Sequence, residues 1–410
     1  MERMIVIGNP ENRRTASLQR ARERVGLPPA VVVPYLDLLR NHISLTEAAE
    51  QGGMLDGIPP LLRLDAPGEN FDVERELIAL GAPDAARDEG DDRLLPFGGR
   101  DDPQPMSVRA ASALMEQRGR LYHPSQWFRG YGRLLARLER EAGAIWPTAG
   151  WLNAPRDIAG MFDKRSTHNV LKAAGVSVPR RLASPEALPD YDALYDTMRD
   201  ARLHRIFLKL AVGSGACGVV AYQINPHSGA ELATTTLAFD SFISKPPQFY
   251  NVLKLRRYTD RAVIRPIVNW LLKHGAHAEQ WVAKAAYGDR TFDIRQLVVG
   301  GEACHSIARV SRTPITNLHL RSERMSMEEL SLPQLVQENM RKCAEAALAA
   351  YPSSSVAGID VLIGKDLRQP PSVVDVNPFG DLLYNVAYQG MDAYEWQMRR
   401  LGSGRRDIAR

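Results

Sequence analysis

One stretch constrains this chain more than any other. Residues 205–224 read RIFLKLAVGSGACGVVAYQI, with GxGxxG at Gly213, Gly215 and Gly218 and Ser214 inside it. In a dinucleotide site that motif opens a helix. Here it runs into Val219-Val220-Ala221-Tyr222, a β-branched and aromatic run that predicts a strand. No Lys-Ser/Thr follows the last glycine, so the phosphate loop of the Walker type is excluded as well. The unit is strand, glycine loop, strand. Such a flap lets backbone N–H groups approach phosphate oxygens without side-chain clash. Lys209, four residues before Gly213, supplies a compact cation for a phosphate. The plain alternative is a hairpin with a glycine-rich turn and a solvent lysine.

A second stretch, residues 356–379, predicts an antiparallel hairpin. Residues 357–363 and 372–376 are strand-like, and GKDLRQPP between them is turn chemistry. With the tip at Leu367-Arg368, Asp360 falls opposite Asp375, and Asn377 shares their face. Facing carboxylates repel. A hard cation between them removes the penalty, and oxygen donors from Asp, Asp and Asn suit Mg²⁺, with Mn²⁺ as a substitute. The plain alternative is one solvent-facing Asp and one turn cap.

The charge balance excludes other classes. Lys+Arg total 52 against 48 Asp+Glu, a net charge of +4, and no basic run tracks phosphates, so nucleic acid is not an expected partner. No apolar stretch approaches the ~20 residues of a membrane span, and MERMIVIGNP lacks the apolar core of a secretion signal. Cys217, Cys304 and Cys343 lie far apart, which points to reduced thiols in a cytoplasmic protein. The chain has nine lysines against 43 arginines, and none of the lysines precedes Lys164. Codon bias explains the imbalance. It also makes the lysines worth locating.

Residues 4–8, 15–25 and 30–35 predict strand, helix and strand, a small doubly wound α/β start. Residues 87–105 are dense in Asp, Arg, Gly and Pro and predict a surface loop or linker. Residues 107–142 predict helix, and strands and helices alternate over 155–400.

With both motifs in hand, residues 155–390 resemble the ATP-grasp superfamily. They are most similar to its branch of glutathione synthetase and the ribosomal-protein glutamate ligase, and to an uncharacterised bacterial group. The order of the motifs carries the likeness: Asp163-Lys164 before a helix ending AAGVSVP, then Lys209 with its flap, then Glu279-Gln280-Trp281-Val282, then the strand FDIRQLVV, then the acidic hairpin. The resemblance implies a mixed α/β fold of two lobes gripping ATP, behind a small Rossmann-like N-terminal domain. The expected units are 1–110, 111–177 as a helical connection and the start of the core, 178–283 as the small lobe, and 284–410 as the core lobe. It implies that residues 279–282 hold adenine and that Lys284 reaches ribose or phosphate. Lys164, Lys209 and the flap would hold the phosphates. Asp360, Asp375 and Asn377 would hold Mg²⁺. Arg295, Arg309 and Asn317 would meet the transferred phosphoryl group and an acyl phosphate.

Two departures stand out. Asp375 replaces the Glu usual in the ligase branch, as in inositol-phosphate kinases. The loop NLHLRSERM lacks the glycines of the glutamate ligases' NLHRGG. The expected activity is a Mg²⁺-dependent carboxylate–amine ligase with a small-molecule or peptide acceptor. A small-molecule kinase is the alternative, and a non-catalytic nucleotide binder the lesser one. A homo-oligomer is left open. Arg63 and Trp127 are candidates for the acceptor side, with core packing as the alternative for both.

Overall fold

The computed structural model describes residues 3–403 apart from 87, 214–216, 241–246, 318–319 and 321. Three sheets organise it. Strands β1 (Met4–Gly8), β2 (Val31–Pro34) and β3 (Leu61–Leu64) are parallel, in the order β2-β1-β3. Every residue of MIVIG is buried, as in a strand covered on both faces. The first helix, Arg13–Arg24, starts two residues earlier than its apolar pattern indicates. The Asn12 side chain accepts from Arg14 N at 2.9 Å and caps it.

The second sheet is antiparallel: β4 (Arg205–Lys209), β5 (Val219–Ile224), β6 (Glu231–Asp240), β7 (Gln248–Tyr258) and β8 (His277–Gln280), in the order β7-β6-β5-β4-β8. The third comprises β9 (Ala286–Tyr287), β10 (Arg290–Val299), β11 (Glu302–Ser311), β12 (Glu323–Met325), β13 (Val356–Leu362) and β14 (Ser372–Asn377). Its order is β12-β11-β10-β13-β14, with β9 on β10.

Alternation along the third sheet sorts its two faces. Phe292, Ile294, Val298, Ile359, Val361 and Val376 join the core under the helix Gln334–Ala349, whose Met340, Ala344 and Ala347 are fully buried. The other face carries Asp293, Arg295, Arg309, Asp360 and Asp375, brought together by register: Asp293 opposite Arg309, Arg295 opposite Asp360, and Asp360 opposite Asp375. Farther along β10 the same face turns apolar at Leu297 and Val299, which pack with Met4, Val6, Tyr394 and Trp396. The charged end of that face is left for the cleft.

Two expectations are corrected. The helix expected over 107–142 is two helices, Val108–Ser112 and Pro124–Ile145. Pro124 stands at the first position of the second helix, where its missing N–H costs nothing. The stretch between them pairs with β7 instead: Asn251 N donates to Gly119 O at 2.7 Å and Leu121 N to Phe249 O at 2.9 Å. Residues 88–105 form a loop with two short 3-10 turns, packed down rather than a free linker. Leu94, Leu95, Asp91 and Asp102 are buried in it, and Asp92 pairs with Arg133 at 2.8 Å. The helices Phe71–Leu80 and Pro124–Ile145 touch backbone to backbone: a Cβ on Gly130 would stand 1.8 Å from Leu77 O. Among the described residues no helix is long and apolar enough to cross a membrane.

Candidate active site

The cleft lies between the second and third sheets and encloses about 730 Å³ open to solvent. Lys164, Lys209, Gly213, Glu279, Gln280, Val282, Lys284, Arg309, Asn317, Asp360 and Asp375 line it. These are expected site residues from six separate segments.

Each lysine arrives on a different element and meets its own carboxylate. Lys164 opens the helix Lys164–Ala173, capped by the buried Asp163. Its Nζ donates to Asp375 Oδ2 at 3.1 Å and to Gly213 O at 3.1 Å, joining the glycine loop to the acidic hairpin. Lys209 ends β4, and its Nζ lies 2.5 Å from Glu279 Oε1 and 3.2 Å from Val374 O. The β13–β14 register slips just past Asp360, where Val361 pairs with Val373 and Val374 is left as the extra residue. A bulge leaves its extra residue unpaired, and here the freed carbonyl takes the lysine. Lys284 donates to Asp293 Oδ2 at 2.9 Å and to Thr316 Oγ1.

Burial sets the protonation of these groups against their partners. Burial would lower the Lys209 ammonium, but Glu279 and Asp375 outweigh it and hold it above its usual value. Burial would raise Glu279, yet Lys209 and His277 hold it down at about 2. Lys284 is lowered, because burial and the cations Arg309 and Lys209 together exceed the pull of Asp293. Asp293 lies well below the carboxylate range despite burial, held by Arg309, Lys284 and Thr316. Asp360 moves the other way. Burial raises it, and repulsion from Asp375 and Asp293 adds to that against Arg295 and Arg309.

The expected metal ligands can be tested on their hydrogen bonds. Asp360 Oδ1 lies 2.6 Å from Arg295 Nε and Oδ2 3.1 Å from Arg309 Nη2, so both of its oxygens are ion-paired with arginine. Asn377 spends its amide nitrogen on Gly358 O at 2.9 Å, which leaves its side-chain oxygen as an acceptor. Two facing carboxylates and an amide oxygen suit a hard cation, which would have to draw Asp360 from the arginines that now hold it. Among the described residues no group of three or more His, Cys, Asp or Glu is placed to hold a metal ion, so the expected set rests on two carboxylates and one amide.

Several expected residues lie elsewhere. Trp281 does not line the cleft. It packs on Phe207 at 5.3 Å, with Val219 and Ile315 beside it. The Gln280 and Trp281 amides are taken by Arg180 O and Arg205 O, whereas no hydrogen bond among the described residues uses the Val282 N–H. Arg295 sits behind the cleft wall, between Asp360 and Asp381. Gly218 adopts φ +63° and closes the hairpin through Leu210 N. Its need for glycine is therefore conformational. Ser214 and Gly215 lie outside the described residues. Arg63 is buried against Gln397 and Tyr394, and Trp127 stacks on Tyr131 and leans on Phe162. Both are packing residues.

Three site residues were missed: Asp293, Thr316 and Cys217, the last with its thiol pushed by burial up to about 12. Asp293 alone had a signal, two residues before Arg295 on the same face.

No family model matches the sequence, and no curated protein does. Solved structures do match in shape. The D-cycloserine synthetase DcsG aligns over 98% of this chain and 99% of its own, at 13% identity and a TM-score of 0.54. The ATP-grasp ligase PsnB, solved with a phosphomimetic variant of a minimal precursor, Mg and ADP, aligns over 98% and 97%, at 15% identity and a TM-score of 0.51. The fold is ATP-grasp. At these identities the likeness is one of architecture, and it runs the whole length of the chain. The cleft just described is bounded by the sheet that carries the glycine loop and the sheet that carries the acidic hairpin.

Proposed function

We propose that the protein is an ATP-dependent, Mg²⁺-requiring ligase that activates a carboxylate as an acyl phosphate and passes the acyl group to an amine. One observation carries the reading. The charged face of the third sheet meets three part-buried ammonium groups across a single cleft, and two of its carboxylates, Asp360 and Asp375, face each other there. Phosphoryl transfer asks for such an arrangement, because it depends on positioning and charge neutralisation. The full-length likeness to PsnB, whose structure holds Mg and ADP, supports the same cofactors here.

Residues divide by reach. The Val282 N–H and the slot near Val282 and Leu362 would take adenine. Lys164, Lys209, Lys284 and the Gly213 backbone would meet phosphates. Asp360, Asp375 and Asn377 would hold Mg²⁺, which would supply neutralisation of phosphate charge there. Arg309 and Asn317 would face the transferred group, with Arg295 positioning Asp360 from behind. The finer likeness to the glutathione synthetase and glutamate ligase branch belongs to this proposal, as do the domain limits given above.

Asp375, where that branch has Glu, favours the kinase alternative. Hydroxylamine separates the two. A ligase incubated with acceptor pools, ATP and hydroxylamine yields an acyl hydroxamate with ADP. ADP release with a phosphorylated acceptor and no hydroxamate would establish the kinase and refute the ligase.

A further inference from the structure

A second, smaller cavity adjoins the cleft. Lys164, Thr167, His168, His277, Glu279 and Asp375 are among the residues that line it. Lys164, Glu279 and Asp375 also line the cleft, so the two spaces share a wall. The ligase reading gives no task to Thr167 or to the two histidines. Thr167 is already engaged, its hydroxyl 3.2 Å from both Gly160 O and Met161 O.

Register brings His277 to Glu279. His277 stands opposite Lys209 in the β4–β8 pairing, and Glu279 lies two residues on, so all three share one face of the second sheet. The Glu279 carboxylate sits between two partners. Oε1 meets the Lys209 ammonium at 2.5 Å, and Oε2 lies 3.2 Å from His277 Nε2. Glu279 is ionised, so the proton in that second bond belongs to the imidazole, on Nε2. His277 Nδ1 then carries a lone pair. His168 repeats the pattern. Its Nε2 donates to Pro179 O at 3.1 Å, which leaves Nδ1 bare, and that buried Nδ1 has no hydrogen-bond partner among the described residues. The two rings lie 5.1 Å apart, centroid to centroid. Two neutral imidazoles thus keep two unprotonated nitrogens beside one cavity.

With the cleft empty, the surroundings hold them neutral. Burial lowers His277 from its ordinary 6.5, and the cations Lys209 and Arg181 add to that against the pull of Glu279. Burial lowers His168 to about 4, with His277 and Arg181 adding to it. Arg181 is engaged by Arg165 O and Asn169 Oδ1, and Lys164 and Asp375 pair with each other across the cavity. The charge of Glu279 is therefore balanced by Lys209. Phosphates in the cleft draw that ammonium, and Glu279, 4% exposed, is left with one neutral partner. A buried carboxylate that loses its cation gains proton affinity, for itself and for a base bonded to it. A proton added at His277 Nδ1 makes an imidazolium in the place of the ammonium, and the bare His168 Nδ1 offers it an acceptor across the cavity.

We propose that His277 is a positioning residue for Glu279 and takes up a proton from solvent when nucleotide binds, so that Lys209 is freed for the phosphates while Glu279 stays ionised and in place. The proposal rests on the nucleotide-binding part of the ligase reading and adds a proton linkage to it. Because His277 titrates below 6.5 in the empty cleft, the free protein holds no added proton near pH 7. The occupied cleft holds it more tightly, so nucleotide affinity should rise as pH falls through neutrality.

The test is titration calorimetry of the full chain with ADP and Mg²⁺ near pH 7 in PIPES, HEPES and Tris, whose ionisation enthalpies differ. The slope of observed enthalpy against buffer enthalpy counts the protons exchanged. Wild type should take up about half a proton to one proton per nucleotide, and its affinity should rise severalfold, up to about tenfold, for each pH unit lowered. His277→Gln keeps a donor toward Glu279 but has no titrating nitrogen. It should lose the uptake and the pH dependence and bind more weakly, and it corrects for protons exchanged by the nucleotide itself. Weaker binding by His277→Gln with an unchanged proton count would make His277 a packing residue and overturn the proposal. The wild-type count stands without any variant: nucleotide binding with no uptake, or with proton release, would overturn the linkage and leave the ligase reading intact. No nucleotide binding in any buffer would refute the ligase reading and the linkage with it.

Discussion

The Lys209–Glu279 pair gives the sharpest test of the cleft's electrostatics. Glu279 is 4% exposed, sits 2.5 Å from Lys209, and is held down at about 2. Against an ordinary carboxylate near 4.5, that shift corresponds to about 3 kcal/mol favouring the ionised form in the fold. Glu279→Gln keeps the shape but strands the buried ammonium of Lys209, and breaking a buried pair costs about 3–5 kcal/mol. Lys209→Met/Glu279→Gln removes both charges and should recover most of that loss.

The pH dependence has a definite sign. The folded-state value is depressed, so the stabilisation is fully present above about 4.5 and fades as pH falls toward 2. The stability difference between wild type and Glu279→Gln should therefore be constant from pH 7 to 5 and shrink below that. Urea unfolding of wild type, both single variants and the double variant at each pH measures it, and taking differences cancels the other titrating carboxylates. A Glu279→Gln variant within about 1 kcal/mol of wild type at pH 7 would refute the assignment. So would a double variant as unstable as the sum of the singles.

Asp375→Ala should leave far-UV circular dichroism unchanged and lower ADP release by about a hundredfold or more, the scale of losing a charge-stabilising group. Wild-type release would remove Asp375 from the metal site. Asp360 is raised, so ionising it costs the empty fold stability as pH rises through its titration. Asp360→Asn should thus be at least as stable as wild type at pH 7 while losing the thermal shift produced by Mg²⁺ with nucleotide, both read by scanning fluorimetry. The two glycines of the loop should separate. Gly218→Ala places a Cβ 2.8 Å from Leu210 Cβ at φ +63° and should cost about 1–2 kcal/mol in urea unfolding. Gly213→Ala has no contact closer than 3.6 Å and should leave stability intact while weakening ATP in calorimetry, if its backbone meets phosphate.

What could be read in advance depended on whether the chemistry was local. Side chains on a strand alternate with period two, so the turn residues after Ile363 were enough to bring Asp360 opposite Asp375. The same rule hid the bulge. Nothing in SVVDVN marks Val374 as the extra residue, yet its freed carbonyl is what Lys209 takes. Trp281 failed for a related reason: an aromatic beside Glu279 suits a core as well as a base slot, and the Phe207 and Ile315 that claim it come from other strands. Asp293 carried half a signal. Its face was predictable, but its role as the joint of Arg309, Lys284 and Thr316 required β11 to lie beside β10. Lys164 is the extreme case, meeting Asp375 from 211 residues away. Lysine's rarity in this chain still pointed there. Of nine lysines, Lys164, Lys209 and Lys284 line one cleft, each neutralised by a different carboxylate. Arginine's planar fork would bind those carboxylates more rigidly. A compact ammonium on a flexible stem can leave its carboxylate for a phosphate, and a site that exchanges partners on binding requires that freedom.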